Sequence, residues 1–346
     1  MSEVETDTQQ SAGSASRFVS AMRIRMKGLR SSKFMPLFIV LLVFLLALFL
    51  RAYFAYDLSA SNGWLMSGGS DSYYYQRLMD HGAQTGEHLY IDPMLNYPDG
   101  ARNPRPPLFT FSVAAPAVFA QGLFNSLDDS LGFFFIMSSA IWGALTVIPI
   151  YLIAKEIFGR RAGYVAALFL AIMPSHVERS VATLCDHDPF ALFFIVLTVY
   201  FLMKAMKATE TSRWIENWLS PKSIIRGLGM FASKSQKGVL YALLAGLSFA
   251  AIAMAWVGFA YIEVILLAFF LIQVLINKFK GIDSTSATLI FFIAFGFGFL
   301  VTYPVYHQMN LWNLDVPFYL FGAAIIVGVL FSATRELPWL MTLPRR

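Results

Sequence analysis

Apolar stretches recur along this chain, most of them about 18 to 22 residues long, and at 1.5 Å per helical residue each can cross a hydrocarbon layer roughly 30 Å thick. Only 14% of the residues are charged and the mean hydropathy is +0.60, whereas soluble domains carry roughly 25% charged residues. A water-soluble globular protein is therefore excluded, and the chain is an all-α polytopic membrane protein. A single cysteine, Cys185, leaves no intramolecular disulfide to contribute to stability.

Eight spans are expected, at 35–56, 133–154, 162–177, 189–206, 239–257, 258–277, 286–303 and 316–333. The apolar run 108–124 is best read as a non-spanning helix within a long loop of about residues 57–132, because that choice gathers 21 of the 26 lysines and arginines on one side. A spanning reading would move Lys155, Arg160 and Arg161 to the face opposite the basic tail, against the positive-inside rule. Both ends are then cytoplasmic: a basic tail at 1–34, a transmembrane domain at 35–334 and a short end at 335–346. Residues 17–30 read as a membrane-surface segment or a disordered tail. The outer side keeps Arg51, Arg77, Arg102, Arg105 and Arg179, together with 12 of the 21 carboxylates. Chemistry that needs carboxylates faces outward. Glu263 alone among the acids falls inside a span, and is expected to be capped by a polar neighbour or water rather than to form an ion path.

Two outer segments carry candidate chemistry. In the long loop, Gly68-Gly69-Ser70-Asp71 precedes three tyrosines and Arg77, so that Asp71 either presents a carboxylate at the membrane surface or caps a short helix. Further on, Asp92-Pro93, Tyr97-Pro98-Asp99-Gly100 and Arg102 to Pro107 form a Pro/Gly-rich path whose arginines suit a phosphate or ordinary headgroups. In the second loop, about 178–188, Asp186 and Asp188 flank His187 ahead of Pro189. Paired carboxylates in a turn suit a hard divalent cation, although Asp188 before Pro189 also fits a helix cap. The chain has no phosphate-binding G-x-x-x-x-G-K-[ST] loop, no H-E-x-x-H and no Rossmann glycines, so nucleotide-driven transport and zinc hydrolysis lack support and no nucleic-acid partner is expected.

Taken together, Asp71 with its tyrosines and Arg77-Leu78, Asp92-Pro93, Tyr97-Pro98-Asp99-Gly100, Pro106-Pro107-Leu108, and Arg179 seven residues before Asp186 resemble the catalytic subunit of membrane oligosaccharyltransferases, most closely the archaeal type that uses dolichol-linked glycans. The resemblance runs over about residues 35–335. It implies a GT-C-like glycosyltransferase transmembrane domain. It implies that Asp71, Asp186 and Asp188 ligate a catalytic Mn²⁺ or Mg²⁺, that Asp71 also binds the acceptor carboxamide, and that Arg179 lies behind these ligands or in the acceptor pocket. It implies transfer of an oligosaccharide from dolichyl phosphate or diphosphate to Asn of Asn-x-Ser/Thr in an acceptor polypeptide, within the cell membrane and on its external face. His187, Arg102 and Arg105 are the candidates for contact with the donor phosphate.

The family pattern continues with more spans, an external loop with a catalytic Glu and a soluble domain bearing Trp-Trp-Asp. None of these is found before Arg346, so the chain is expected to be an N-terminal fragment, a truncated product or half of a split protein, with a further chain supplying the rest. Two rivals remain: another polyprenyl-phosphate glycosyltransferase, which would share an acid like Asp71 but lack the 179–188 segment, and a transporter or structural subunit. A transporter is expected to place ionisable groups at mid-bilayer on repeated halves, and here only Glu263 and the Gly-rich 295–299 stretch offer anything of that kind.

Overall fold

A computed structural model describes residues 34–310 and 315–333. The basic tail and the segment after residue 333, read from the sequence as cytoplasmic, lie outside the described residues apart from Phe34. Among the described residues, seven helices are long and apolar enough to cross a membrane.

Helix α1 (Met35–Ala60) opens at Pro36, whose fixed φ suits a first turn. It buries Val40, Val43, Ala47 and Arg51 at helical spacing and turns Leu37, Leu41, Leu45 and Phe49 outward. Helix α2 (Ser70–Thr85) and helix α3 (Pro107–Ala120) lie in the long loop, separated by a small hairpin in which β1 (Ile91–Asp92) pairs antiparallel with β2 (Ala101–Arg102). At 14 residues α3 spans about 21 Å, too short to cross, as expected for the 108–124 run. Helices α4 (Leu127–Leu145) and α5 (Val147–Phe158) form one rod of 32 residues. Ser126 caps its start by accepting from the Asp129 amide. Ser138, Ser139, Ala140, Gly143 and Ala144 are buried on α4, which packs on α1, and their small size permits close approach.

The expected span at 162–177 is interrupted rather than continuous, and its two pieces still run back along α5 and α1 to the end of α1 that carries Arg51, which keeps the eight-crossing order. Helix α6 (Arg160–Ile172) has 13 residues and ends where Met173 turns extended ahead of Pro174; α7 (Pro174–Glu178) adds one turn. A residue before proline is pushed out of the helical region, so the apolar run is divided. Gly159, at φ 90°, makes the tight reversal that lays α6 on α5, where Tyr164 stacks on Tyr151 at 5.3 Å.

The second half holds α8 (Asp188–Ala208), α9 (Pro221–Lys234), α10 (Gln236–Ala253), α11 (Phe259–Phe279), α12 (Thr285–Met309) and α13 (Asp315–Ala333). Helix α10 sits between α8 and α12. A Cβ on Gly246 would lie 2.3 Å from the Ala294 carbonyl, so α10 and α12 meet backbone to backbone. Phe249, Phe259, Phe270, Phe291 and Phe295 fill the core beside this contact. Glu263 on α11 is fully buried, and neither carboxylate oxygen has a hydrogen-bond partner among the described residues. The expected polar cap is therefore not among them. The Leu108 amide donates to the Met254 carbonyl at 2.9 Å, tying the start of α3 to the end of α10.

Candidate active site

Two segments far apart in sequence are stitched edge to edge. The Ser67 amide donates to the Thr183 carbonyl at 2.7 Å, and the Ser72 hydroxyl donates to the Leu184 carbonyl at 2.6 Å. Gly68 makes this approach possible, since a Cβ there would stand 2.1 Å from the Leu184 carbonyl oxygen. Gly68 thus serves close packing, while Gly69, with open space around its Cβ position, supplies the φ of 68° that starts α2. As a result the first turn of α2, which carries Asp71, sits beside the loop that leads to Asp186.

That loop is held from below by Arg51. Its side chain is fully buried, donating from Nε to the Ser180 hydroxyl at 2.8 Å and from Nη1 to the carbonyls of Ala47 at 2.8 Å and Ala171 at 3.0 Å. The Ala182 amide returns a bond to the Arg51 carbonyl, and the Ser180 hydroxyl in turn donates to the His176 carbonyl. Cys185, buried and at φ 52°, then bends the chain into Asp186, whose amide donates to the Ser139 hydroxyl at 3.3 Å.

Asp186, His187 and Asp188 converge, offering one ligand atom each within 4.8 Å of one another. Asp186 Oδ1 accepts from His187 Nδ1 at 2.6 Å and from the His187 amide at 2.7 Å. Burial works to raise the Asp186 carboxyl, but the bonds and charge of His187, with help from Arg105, outweigh it and hold the group below the ordinary carboxylate range. His187 is packed between the rings of Tyr75 and Trp256; among the described residues its Nε2 has no hydrogen-bond partner, and it faces Asp188 Oδ1 at 3.7 Å. Arg179 donates to Asp188 Oδ2 at 2.6 Å, so Asp188 is an ion-pair partner and makes no side-chain cap. Asp71 likewise does not cap α2: its carboxylate accepts from Arg105 at 2.7 Å.

Arg105 is the hinge of the arrangement. Its guanidinium lies 5.2 Å over the ring of buried Tyr75 and is near enough to Asp71 and Asp186 for both to influence its ionisation. Burial, before any charge, raises the Tyr75 hydroxyl far above its ordinary value. Arg102 stands apart, reaching the Met309 carbonyl at 3.5 Å. The fold thus brings together Asp71, Arg105, Arg179, Asp186, His187 and Asp188, and leaves Arg102 at the edge. Sequence reasoning did not pick out Arg51, Ser72, Tyr75, Ser139 or Ser180 as builders of the site. Arg51 alone left a signal, as an arginine at the end of an otherwise apolar run.

Asp92, from the same loop, is structural: fully buried, it takes two bonds of 2.9 Å from Arg77 and one from the Met94 amide, fastening the hairpin to α2. Asn103 donates to the Leu89 carbonyl and pairs with His88 Nε2 at 3.2 Å. Burial lowers His88 to about 4. A histidine whose folded value lies below its unfolded value, about 6.5, contributes fully above that unfolded value and loses its contribution as pH falls toward the folded one. Between pH 7 and 4.5 the protein should lose roughly 2 kcal/mol through this group. Thermal melting in detergent across that range should show the drop, and His88→Gln should flatten it; an unchanged slope in the variant would remove His88 as the cause.

A family model described as oligosaccharyl transferase STT3, N-terminal, matches residues 37–335. Dolichyl-phosphooligosaccharide-protein glycotransferase 3 of Archaeoglobus fulgidus is 25% identical over 275 residues, 77% of this chain and 29% of that protein. Dolichyl-monophosphooligosaccharide–protein glycotransferase AglB of Haloferax volcanii is 26% identical over 161 residues, 46% of this chain and 15% of that protein. Among solved structures, archaeal oligosaccharyltransferase AglB of Archaeoglobus fulgidus, in complex with an inhibitory peptide and a dolichol-phosphate, superposes with a TM-score of 0.68 at 20% identity, over 91% of this chain and 36% of that one. The apo oligosaccharyltransferase of the same organism gives 0.67 at 21% identity, over 87% of this chain and 33% of that one. The chain thus spans about a third or less of the length of these relatives.

Proposed function

Starting from the fact that the chain belongs to the oligosaccharyl transferase STT3 family, we propose that its acidic cluster is the centre at which an oligosaccharide passes from a dolichyl phosphate or diphosphate carrier to Asn of Asn-x-Ser/Thr in an acceptor polypeptide. The observation that carries this reading is the convergence of Asp186, His187 and Asp188 beside the helix turn that bears Asp71. Residues 35–334 are the transmembrane domain, both ends are cytoplasmic, and the site opens on the external face, where the two loops that build it meet.

The residues fit a divalent cation. Carboxylate oxygens of Asp186 and Asp188 are hard donors, and His187 Nε2 is a buried nitrogen without a hydrogen-bond partner among the described residues, facing Asp188. Asp71 would join them on release from Arg105. A bound Mn²⁺ or Mg²⁺ supplies charge stabilisation for the departing phosphate. The protein's own groups do the rest. An amide nitrogen is a weak nucleophile because its lone pair is conjugated, and hydrogen bonds from the carboxamide to the Asp71 and Asp186 carboxylates draw it out of conjugation and take up its proton. Arg179 keeps Asp188 oriented and balances its charge. Arg105 and Arg102 are the groups to which the donor phosphate is directed, since His187 has Nδ1 on Asp186 and offers Nε2 to the cation. Aromatic walls from Tyr75 and Trp256 keep water from His187.

Membranes containing the protein, supplied with a radiolabelled dolichol-linked oligosaccharide and an Asn-x-Thr peptide, should yield glycopeptide. EDTA should abolish the product and Mn²⁺ or Mg²⁺ restore it, while a Gln-x-Thr peptide remains unmodified. Undiminished transfer in chelator would refute the metal assignment, and no transfer under any condition would refute the activity.

A further inference from the structure

Helix α2 has a second polar stripe, distinct from the turn that carries Asp71. Gln76, Asp80 and Gln84 follow at intervals of four residues and so share one face. They form the wall between two external cavities, one of about 440 Å³ and one of about 650 Å³. The smaller is also lined by Asp128 and Trp64 and by the apolar side chains of Met66, Met79 and Phe135. Its volume lies within the roughly 300–1,000 Å³ usual for small-ligand sites.

Among the described residues, the side chains of Gln76, Asp80, Gln84 and Asp128 make no hydrogen bond or ion pair. Asp80 titrates above its ordinary range, through burial first and the charge of Asp128 second, and no side-chain cation pairs with either carboxylate among the described residues. An anionic ligand would be repelled by this pair. An apolar ligand would strand the half-buried Gln76 and Asp80. A metal ion needs convergent ligands, and the only cluster of three or more acidic, histidine or cysteine groups among the described residues is at 186–188. What remains is a neutral molecule rich in hydroxyls, each able to donate to a carboxylate and accept from an amide, with C–H faces for Trp64 and the apolar side chains. The stripe begins five residues from Asp71 and ends thirteen from it, about 8 to 20 Å along the helix axis. A chain of sugars leaving the acidic cluster along α2 would pass it.

We propose that this cavity and stripe hold sugar units of an oligosaccharide, either that of the donor or that already attached to the product; the proposal rests on the transfer reading above. The test compares the protein with a Gln76→Ala/Gln84→Ala double variant and with Asp80→Asn, using dolichyl phosphate that carries the full glycan from the cells of origin and dolichyl phosphate that carries one hexose. The expected result is a KM about tenfold higher for the full-glycan donor and unchanged within twofold for the single hexose. Relief of inhibition by glycosylated peptide, with the donor KM unchanged, assigns the same site to the product glycan. Equal loss with both donors, no change in any of these, or loss of one bound Ca²⁺ or Mn²⁺ in Asp80→Asn would overturn the proposal. If the unsubstituted protein transfers neither glycan, the transfer reading fails, and saturation-transfer NMR with the released, lipid-free glycan decides the cavity independently. Binding that weakens about tenfold in the double variant upholds it, and absence of binding removes it.

Discussion

Asp186→Asn is expected to lower kcat/KM for peptide glycosylation by at least about 100-fold, the range found when one preorganised electrostatic contact at a reacting centre is removed. The substitution keeps the side chain's shape and leaves an oxygen to accept from the His187 amide, so the loop retains its course. What disappears is a full negative charge at the point where Arg105, His187 and Asp188 meet. Isothermal titration with Mn²⁺ should show affinity weakened in parallel with the rate. A variant that transfers within threefold of the unsubstituted protein, or that binds Mn²⁺ as tightly, would remove Asp186 from the centre. Asp188→Asn serves as the partner experiment and should also release Arg179.

Arg51→Ala should be the most damaging substitution away from the cluster. It empties the volume of a wholly buried side chain and leaves the Ala171 carbonyl without its donor at the foot of the acidic loop. Cavity formation and the lost charge-assisted bonds together amount to about 3–5 kcal/mol. Ser180→Ala, which removes one partner and leaves the guanidinium in place, should cost about 1 kcal/mol. The chain carries its own reporter, since Cys185 is its single cysteine and is fully buried within the same loop. Labelling of Cys185 by a maleimide should be slow in the unsubstituted protein and at least about tenfold faster in Arg51→Ala, because opening of the loop becomes less costly. Equal labelling rates, with an unchanged melting temperature, would show that Arg51 does not hold the loop.

The helices were legible because lipid imposes a single test, length of apolar run, which seven elements pass as single helices. Averaged hydropathy does not register what one proline does to the residue before it, so 162–177 read as a span where Met173 and Pro174 divide it. Asp186, His187 and Asp188 were legible as a group since adjacency in sequence guarantees adjacency in space. Their relation to Asp71 rested on resemblance, for no local pattern announces that Ser72 will bond a carbonyl more than a hundred residues away. Serines at 67, 72, 139 and 180 look like any polar residues near a membrane, and only the fold shows that each ties the acidic loop to a helix or to the loop ahead of α2. The capping readings of Asp71 and Asp188 failed because arginines 34 and 9 residues away, rather than the local helix amides, bond both carboxylates.

Each acid of the cluster already has a basic companion within the protein: Arg105 for Asp71, His187 for Asp186 and Arg179 for Asp188. Mutual repulsion is therefore answered before any cation arrives. The acidic loop is thus balanced by the chain's own bases, in contrast to small metal-binding domains that are unfolded until their ion binds. A divalent ion binding here would have to displace contacts of Arg105, His187 and Arg179 rather than order a loose chain.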